Sequence, residues 1–198
     1  MSTLSDNSEV KEKIKSALFQ CMLEMPYNKI TVKKLVGRLG MSRQNFYRYY
    51  LSKDEVLLDL IDNTLDAAYQ IIESNLEGIR DNVALVSRQI ESLALPQKDL
   101  MNEILSCSNE KVVFSHGRSF VRRVVGRLLR EKNHKDIDQD YLDIIISQYA
   151  GSGYHMVKTW AQNDSEIDSS KFRHLVFNFV DGWFKAVDDA CDTSIPLS

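Results

Sequence analysis

Apolar residues recur every three to four positions along almost all of this 198-residue chain, and the residues that break helices are few, three Pro and eight Gly. That period places apolar side chains on one face of an α-helix, and no strand-like alternation competes with it, so the expected fold class is all-α. An apolar content of 43% is enough for one large or two small domains with a true core. A first helix carries Ile14, Ala17, Leu18, Cys21, Met22 and Met25 on one stripe and stops at Pro26, while residues 1–9 read as a flexible polar tail. Further helices are expected at about 80–94, 97–107, 110–132, 138–161 and 169–190, with breaks at Pro96, Ser108 to Asn109, Asn133 to His134 and Asn163 to Ser165.

The stretch from Ile30 to Leu58 is more specific. Thr31 stands where an N-cap belongs, Val32, Leu35, Val36 and Leu39 share one face, and Gly40 follows at the turn. Ser42 caps a third helix over residues 42–50, in which Phe46 and Tyr50 are four apart and face inward. Arg43, Gln44, Tyr47 and Arg48 are thereby turned to solvent. Ser52, Lys53, Asp54 and Glu55 form a capping box that starts a long fourth helix, with Leu57, Leu60, Ile61, Leu65, Ala68 and Ile71 inside. Two short helices, a tight turn and a basic, amide-rich outer face make a helix-turn-helix, a unit suited to the major groove of DNA.

Charge agrees with that reading. From Lys11 to Lys53 there are ten Lys or Arg against two Glu, a local balance of +8, which leaves −11 for the rest of a chain whose net charge is −3. A cationic head attracts phosphate through counterion release, and an acidic body keeps the other surfaces away from the polyanion. Thr31, Tyr47, Tyr49 and Lys53 are placed to position phosphates, with Lys33, Ser42 and Arg48 in the same DNA-facing set. Base reading falls to Arg43, Gln44 and Asn45, because a guanidinium matches the paired acceptors of guanine and an amide matches adenine. A solvated helix surface, or a face for a protein partner, is the competing explanation, and exposed phenol rings beside a basic surface favour DNA.

The segment ITVKKLVGRLGMSRQNFYRYYLSKDEVLL resembles the N-terminal motif of the tetracycline-repressor (TetR/AcrR) family of bacterial transcription regulators, over about residues 10–60. The resemblance implies a DNA-binding domain over residues 10–52 and a helical regulatory and dimerisation domain over 53–198. It implies phosphate contacts from Tyr47, Tyr49 and Lys53, and core positions for Phe46 and Tyr50. Gln44 and Asn45 stand where the family more often has small residues, Tyr49 where His is frequent, and Lys34 where an acidic residue is frequent.

In that family the last two long helices pair with their copies as a four-helix dimer interface, and the apolar stripes of the last two helices suit this role. Ile145, Tyr149, Met156, Phe172, Val176, Phe179 and Trp183 are the expected interface, with packing inside one chain as the alternative, and Gly151 and Gly153 would let a neighbouring backbone come close. The resemblance further implies a palindromic operator on double-stranded DNA and release by a small-molecule effector, for which Phe114, Phe120, Tyr149, Tyr154 and His155 are pocket candidates. Arg118, Arg122, Arg123, Arg127, Arg130, Lys132 and Lys135 fall within 18 residues. They read as the solvated back of a helix packed through Val121, Val124, Val125, Leu128 and Leu129, with an anion-binding surface as the sharper alternative.

The alternative functional class is a ligand-independent coactivator or protein-interaction adaptor on the same fold. An enzyme is not expected. His116, His134, His155 and His174 form no metal-binding spacing, and the sequence holds neither a phosphate-cradling glycine loop nor a nucleophile elbow. No cofactor or metal is expected. Three widely spaced cysteines, Cys21, Cys107 and Cys191, suit reduced thiols in a cytoplasmic protein. No leader and no membrane span are expected, since the run from Ile144 to Val157 is too short and too polar to cross a bilayer.

Overall fold

Pro26, Gly40 and Pro96 all fall where helices stop. The computed structural model describes residues 2–78, 82–106, 110–131, 138–163 and 169–191, and these are helical with no strand among them. The helices are α1 (Ser2–Glu24), α2 (Val32–Leu39), α3 (Arg43–Phe46), α4 (Lys53–Ser74), α5 (Val83–Ala94), α6 (Lys98–Ser106), α7 (Glu110–Glu131), α8 (Gln139–Gln162) and α9 (Ser169–Cys191). The all-α expectation holds, and α5 to α9 begin and end within three residues of their expected limits. Lys132, Lys135 and the expected breaks at 108–109 and 133–134 lie outside the described residues.

Two elements differ from expectation. α1 includes residues 2–9, the stretch read as a polar tail. Neither Gly nor Pro precedes Pro26, and Lys13 Nζ reaches Glu9 Oε1 at 2.7 Å, an i, i+4 pair that favours helix. α3 is shorter than the expected 42–50. After Phe46 the chain closes with tighter bonds, Arg48 N to Asn45 O at 3.2 Å and Tyr49 N to Phe46 O at 2.9 Å, before Tyr50 N returns to Phe46 O at 3.1 Å.

The chain divides into two compact units, residues 1–64 with 103–113, and residues 65–102 with 114–198. In the first, Ile14 and Leu18 of α1, Ile30, Leu35 of α2, Phe46, Tyr50 and Val56 and Leu57 of α4 are buried together. In the second, Trp160 of α8 stacks on Phe172 of α9 with ring centroids 4.1 Å apart and planes 24° apart. Val121, Val124, Val125 and Leu128 are buried as expected on α7, while Leu129 is half-buried. Late in α4 the buried positions are Tyr69 and Ile72, with the expected Leu65, Ala68 and Ile71 half-buried, so the inner stripe lies one position later than the sequence suggested. Cys21 is a buried free thiol. No helix among the described residues is long and apolar enough to cross a membrane.

Candidate nucleic-acid interface

The first unit is fixed by local rules at each junction. Thr31, in extended conformation, accepts the Lys34 amide on its hydroxyl at 3.3 Å and so opens α2. α2 closes on Gly40, whose φ of 63° lies in the left-handed region, and Met41 N returns to Val36 O at 3.0 Å. Two residues later the Ser42 hydroxyl accepts the Asn45 amide at 3.1 Å and opens α3. The link from α2 to α3 is therefore three residues long and defined by a glycine at one end and a serine cap at the other.

α3 is anchored from beneath. Phe46 is fully buried and Tyr50 nearly so, with their rings 6.2 Å apart, and the edge of Phe46 meets Tyr47 at 5.5 Å. The Tyr50 hydroxyl donates to Asp59 Oδ2 on α4, and Lys11 of α1 lies 5.0 Å over the Tyr50 ring. Burial first, and then the bond to the Asp59 carboxylate, push the Tyr50 phenol above its ordinary range. Buried Lys15 completes this patch, bonded to Glu12 at 2.6 Å and within 3.9 Å of Asp59. Sequence reasoning missed Lys15 and Asp59. Lys15 falls three and seven positions before Leu18 and Met22, at the edge of the α1 stripe, where its charge masked its burial.

With Phe46 and Tyr50 turned inward, the outer face follows. Arg43, Gln44 and Arg48 are exposed, Tyr47 keeps half of its surface in solvent, and Asn45 and Tyr49 are half-buried. Thr31, Lys33 and Ser42 are exposed on the adjoining helix starts. Arg43, Gln44, Tyr47 and Arg48 thus share the outer side of one short element, as the four-residue spacing of Phe46 and Tyr50 required.

Lys53 is placed differently. Its Nζ donates to Tyr27 O at 2.6 Å and sits 4.1 Å over the Tyr27 ring, while the Tyr27 hydroxyl bonds Asp54. A phosphate contact from Lys53 would have to share or replace these bonds. Lys34 directs Nζ at Met25 Sδ, 3.1 Å away. Arg38 is bonded to Glu24 of α1, and that hydrogen bond holds the Glu24 carboxyl below its ordinary range. Leu51, which no spacing or motif singles out, is 80% exposed at the start of the link to α4.

The other expected site residues lie in the second unit. Ile145, Phe172, Val176 and Trp183 are buried inside a single chain, while Tyr149, Met156 and Phe179 are half-buried. Tyr149 donates to Gly182 O at 2.8 Å and packs edge-on against Phe179, and burial pushes its phenol upward. Gly153 does admit a close neighbour, the Phe179 ring of the same chain, where an added Cβ would come within 2.9 Å; nothing approaches Gly151. On α8 and α9 the large apolar side chains left outside are Tyr141, Ile144 and Leu175, with Ile144 64% exposed.

Among the effector candidates, Phe114 meets Tyr154 edge-on at 6.1 Å and Tyr154 meets His155 at 5.3 Å, whereas Tyr149 belongs to the α8–α9 contact and half-buried Phe120 joins neither. Four of the five arginines of α7 are engaged with acids of neighbouring helices, and Arg130 is exposed. Arg118 and Arg122 both reach Asp143, at 3.7 and 2.7 Å, Arg123 bonds Asp66 and lies 3.5 Å over the Tyr69 ring, and Arg127 meets Glu73 at 3.4 Å. These pairs lace α7 to α4 and α8, a role for the basic run that is neither the solvated helix back nor the anion-binding surface expected of it. Among the described residues no group of three or more His, Cys, Asp or Glu could hold a metal ion.

No protein-family model matches the sequence, and no curated protein matches it. Among solved structures, one from Syntrophomonas wolfei str. Goettingen, described as a candidate TetR-family transcriptional regulator, superposes with a TM-score of 0.67. The match covers 97% of this chain and 100% of that one, at 14% sequence identity. The chain has that fold. The likeness extends through the second unit as well as the helix-turn-helix, so the whole order of helices is shared and not only the short N-terminal motif.

Proposed function

We propose that this chain is a DNA-binding transcription regulator that acts as a homodimer on a palindromic operator and is released from it by a small molecule. One observation carries the reading. A cationic head presents Arg43, Gln44, Tyr47 and Arg48 together on the outside of α3 and the turn that follows it, whose inner side is held by Phe46 and Tyr50. Such an element fits a groove about 12 Å wide, and its guanidinium and amide groups match base edges. The +8 balance between residues 11 and 53 adds the salt-dependent attraction to phosphate.

The dimer is supported by the outer faces of α8 and α9, which leave Ile144, Tyr141 and Leu175 in solvent beside half-buried Met156 and Phe179. Ile145, Phe172, Val176 and Trp183 support that surface from inside rather than forming it. Two heads about 34 to 36 Å apart would read half-sites one helical turn from each other. Effector release is the family's general behaviour, and the Phe114, Tyr154 and His155 cluster is its candidate seat.

Selection of bound sequences from random duplex DNA tests the proposal. Enrichment of an inverted repeat is expected, with affinity falling steeply with salt, and Tyr47→Ala should weaken binding roughly tenfold while far-UV circular dichroism is unchanged. Absence of any enriched sequence at low salt, from folded protein, overturns it.

A further inference from the structure

We propose that Asp59 on α4 sets how sharply the protein discriminates between base sequences, by fixing Tyr50 and, through it, the angle at which Arg43 and Gln44 are presented. The inference rests on the reading of the chain as an operator-binding regulator, and it adds to that reading a positioning residue rather than a contact.

α3 is too short to orient itself. Its helical residues are Arg43–Phe46, about one turn, and Tyr47, Arg48 and Tyr49 then close on the carbonyls of Arg43, Asn45 and Phe46. A longer helix packs a whole stripe of side chains against its neighbours, whereas α3 has one buried side chain, Phe46, to which the following turn adds Tyr50. A single anchor fixes a point and leaves the element free to pivot, and a second anchor fixes the angle. The Tyr50 ring is confined by packing, but its directional group is the hydroxyl, which donates to Asp59 Oδ2.

The acceptor is itself held. Among the described residues only Lys15 and Glu91 are both charged and buried, each 4% exposed. Glu91 takes two bonds from Arg173, which join α5 to α9 in the second unit. Lys15 instead bonds Glu12 Oε1 at 2.6 Å and lies 3.9 Å from Asp59 Oδ1, the oxygen that Tyr50 does not use. α1, α4 and the turn after α3 thus meet at one carboxylate. Burying an ammonium costs more than burying a methionine of similar length, so packing alone gives no reason for a lysine between buried Ile14 and Leu18. What the ion adds is direction, because a carboxylate held from one side accepts the phenol in one orientation. Base contacts are sensitive to such an angle. Hydrogen bonds prefer more than about 150° at the proton and weaken steeply below about 120°, so a pivot of about 30° spoils a bidentate pair.

The test compares, at one salt concentration, affinity for the duplex that the wild-type protein enriches from random DNA with affinity for a scrambled duplex of the same composition. Tyr50→Phe keeps the ring and deletes the hydroxyl. It should lower the ratio of the two affinities at least about fivefold, the least that one bidentate base contact supplies, while the scrambled-duplex affinity and its salt dependence stay unchanged. Asp59→Ala should act alike, and Asp59→Asn, which retains an acceptor oxygen, should keep most of the ratio. Tyr50→Phe decides the matter should Asp59→Ala not fold. In DNA-free protein the Arg48 and Tyr49 amides should exchange with solvent roughly tenfold faster in Tyr50→Phe, with the Met41 amide at the end of α2 unaffected. A wild-type protein that enriches no sequence removes the operator reading and this inference together. A wild-type protein that does enrich one, with an unaltered ratio in Tyr50→Phe, removes this inference alone. Specific and scrambled affinities that fall together, equal losses in Asp59→Asn and Asp59→Ala, or unaltered exchange at Arg48 and Tyr49 would each overturn it as well.

Discussion

The Glu91–Arg173 pair predicts an asymmetry that is unusual for a salt bridge. Its two halves differ in access to water, since the Glu91 side chain is 6% exposed and the Arg173 side chain 42%. Arg173→Ala therefore strands a carboxylate in the body of the second unit with neither of its two bonds. Breaking a buried pair from that side costs about 3 kcal/mol, the lower end of the usual range. Glu91→Leu leaves a guanidinium that can swing into solvent and fills the vacated space with apolar atoms, so its cost is about 1 kcal/mol. In a chain of this length each kcal/mol moves the melting temperature by roughly 2–4 °C, so Arg173→Ala should lower it by roughly 6–12 °C and Glu91→Leu by roughly 2–4 °C. The double variant is the sharper test, since removing the stranded carboxylate should make Glu91→Leu stabilising by about 2 kcal/mol in the Arg173→Ala background. Urea denaturation of the four proteins measures this cycle. Equal costs for the two single variants, or a double variant no more stable than Arg173→Ala, would refute the argument from unequal burial.

Gly40→Ala should destabilise the first unit by about 1–2 kcal/mol in urea denaturation. Its φ is +63° while nothing lies within 4 Å of the added methyl, so the cost is conformational alone. Gly37→Ala, in α2 with equally open space but ordinary φ, should instead stabilise by about 0.5–1 kcal/mol. Ile144→Glu should change single-chain stability by less than about 0.5 kcal/mol yet move the sedimentation coefficient from dimer to monomer, because 64% of that residue is already in solvent. The Tyr50 phenol, raised by burial and by Asp59, keeps its proton more firmly folded than unfolded. Its contribution is thus complete below about pH 10 and lost as pH climbs past that value, so the fall in urea midpoint between pH 9 and pH 11 should be smaller in Tyr50→Phe.

The helix-turn-helix was readable because its determinants are local. Caps at Thr31 and Ser42, the left-handed glycine at position 40 and the four-residue spacing of Phe46 and Tyr50 each act within one or two turns of chain, and each is met in the structure. What escaped depends on residues far apart in sequence. Lys53 bonds Tyr27 across 26 positions, Lys15 approaches Asp59 across 44, and Arg173 reaches Glu91 across 82. No spacing rule announces such pairs, because a charged side chain looks solvated until the partner that neutralises it is known.

The α8 and α9 stripes show a different limit, and also how it can be passed. An amphipathic stripe reports that one face of a helix is covered, not whether a neighbour in the same chain or a second copy covers it. That pattern suits Ile145, Phe172, Val176 and Trp183 to an interface as well as to a core, and within one chain all four are buried. The run Ile144, Ile145, Ile146 held the better clue. Successive residues on a helix differ by about 100°, so three in a row sweep about 200°, more than one buried face accepts. Ile145 and Ile146 are buried and Ile144 stands outside, the arrangement that sweep demands. An apolar run too wide for the core it joins marks a second face, and on α8 that second face is the one a partner copy would cover.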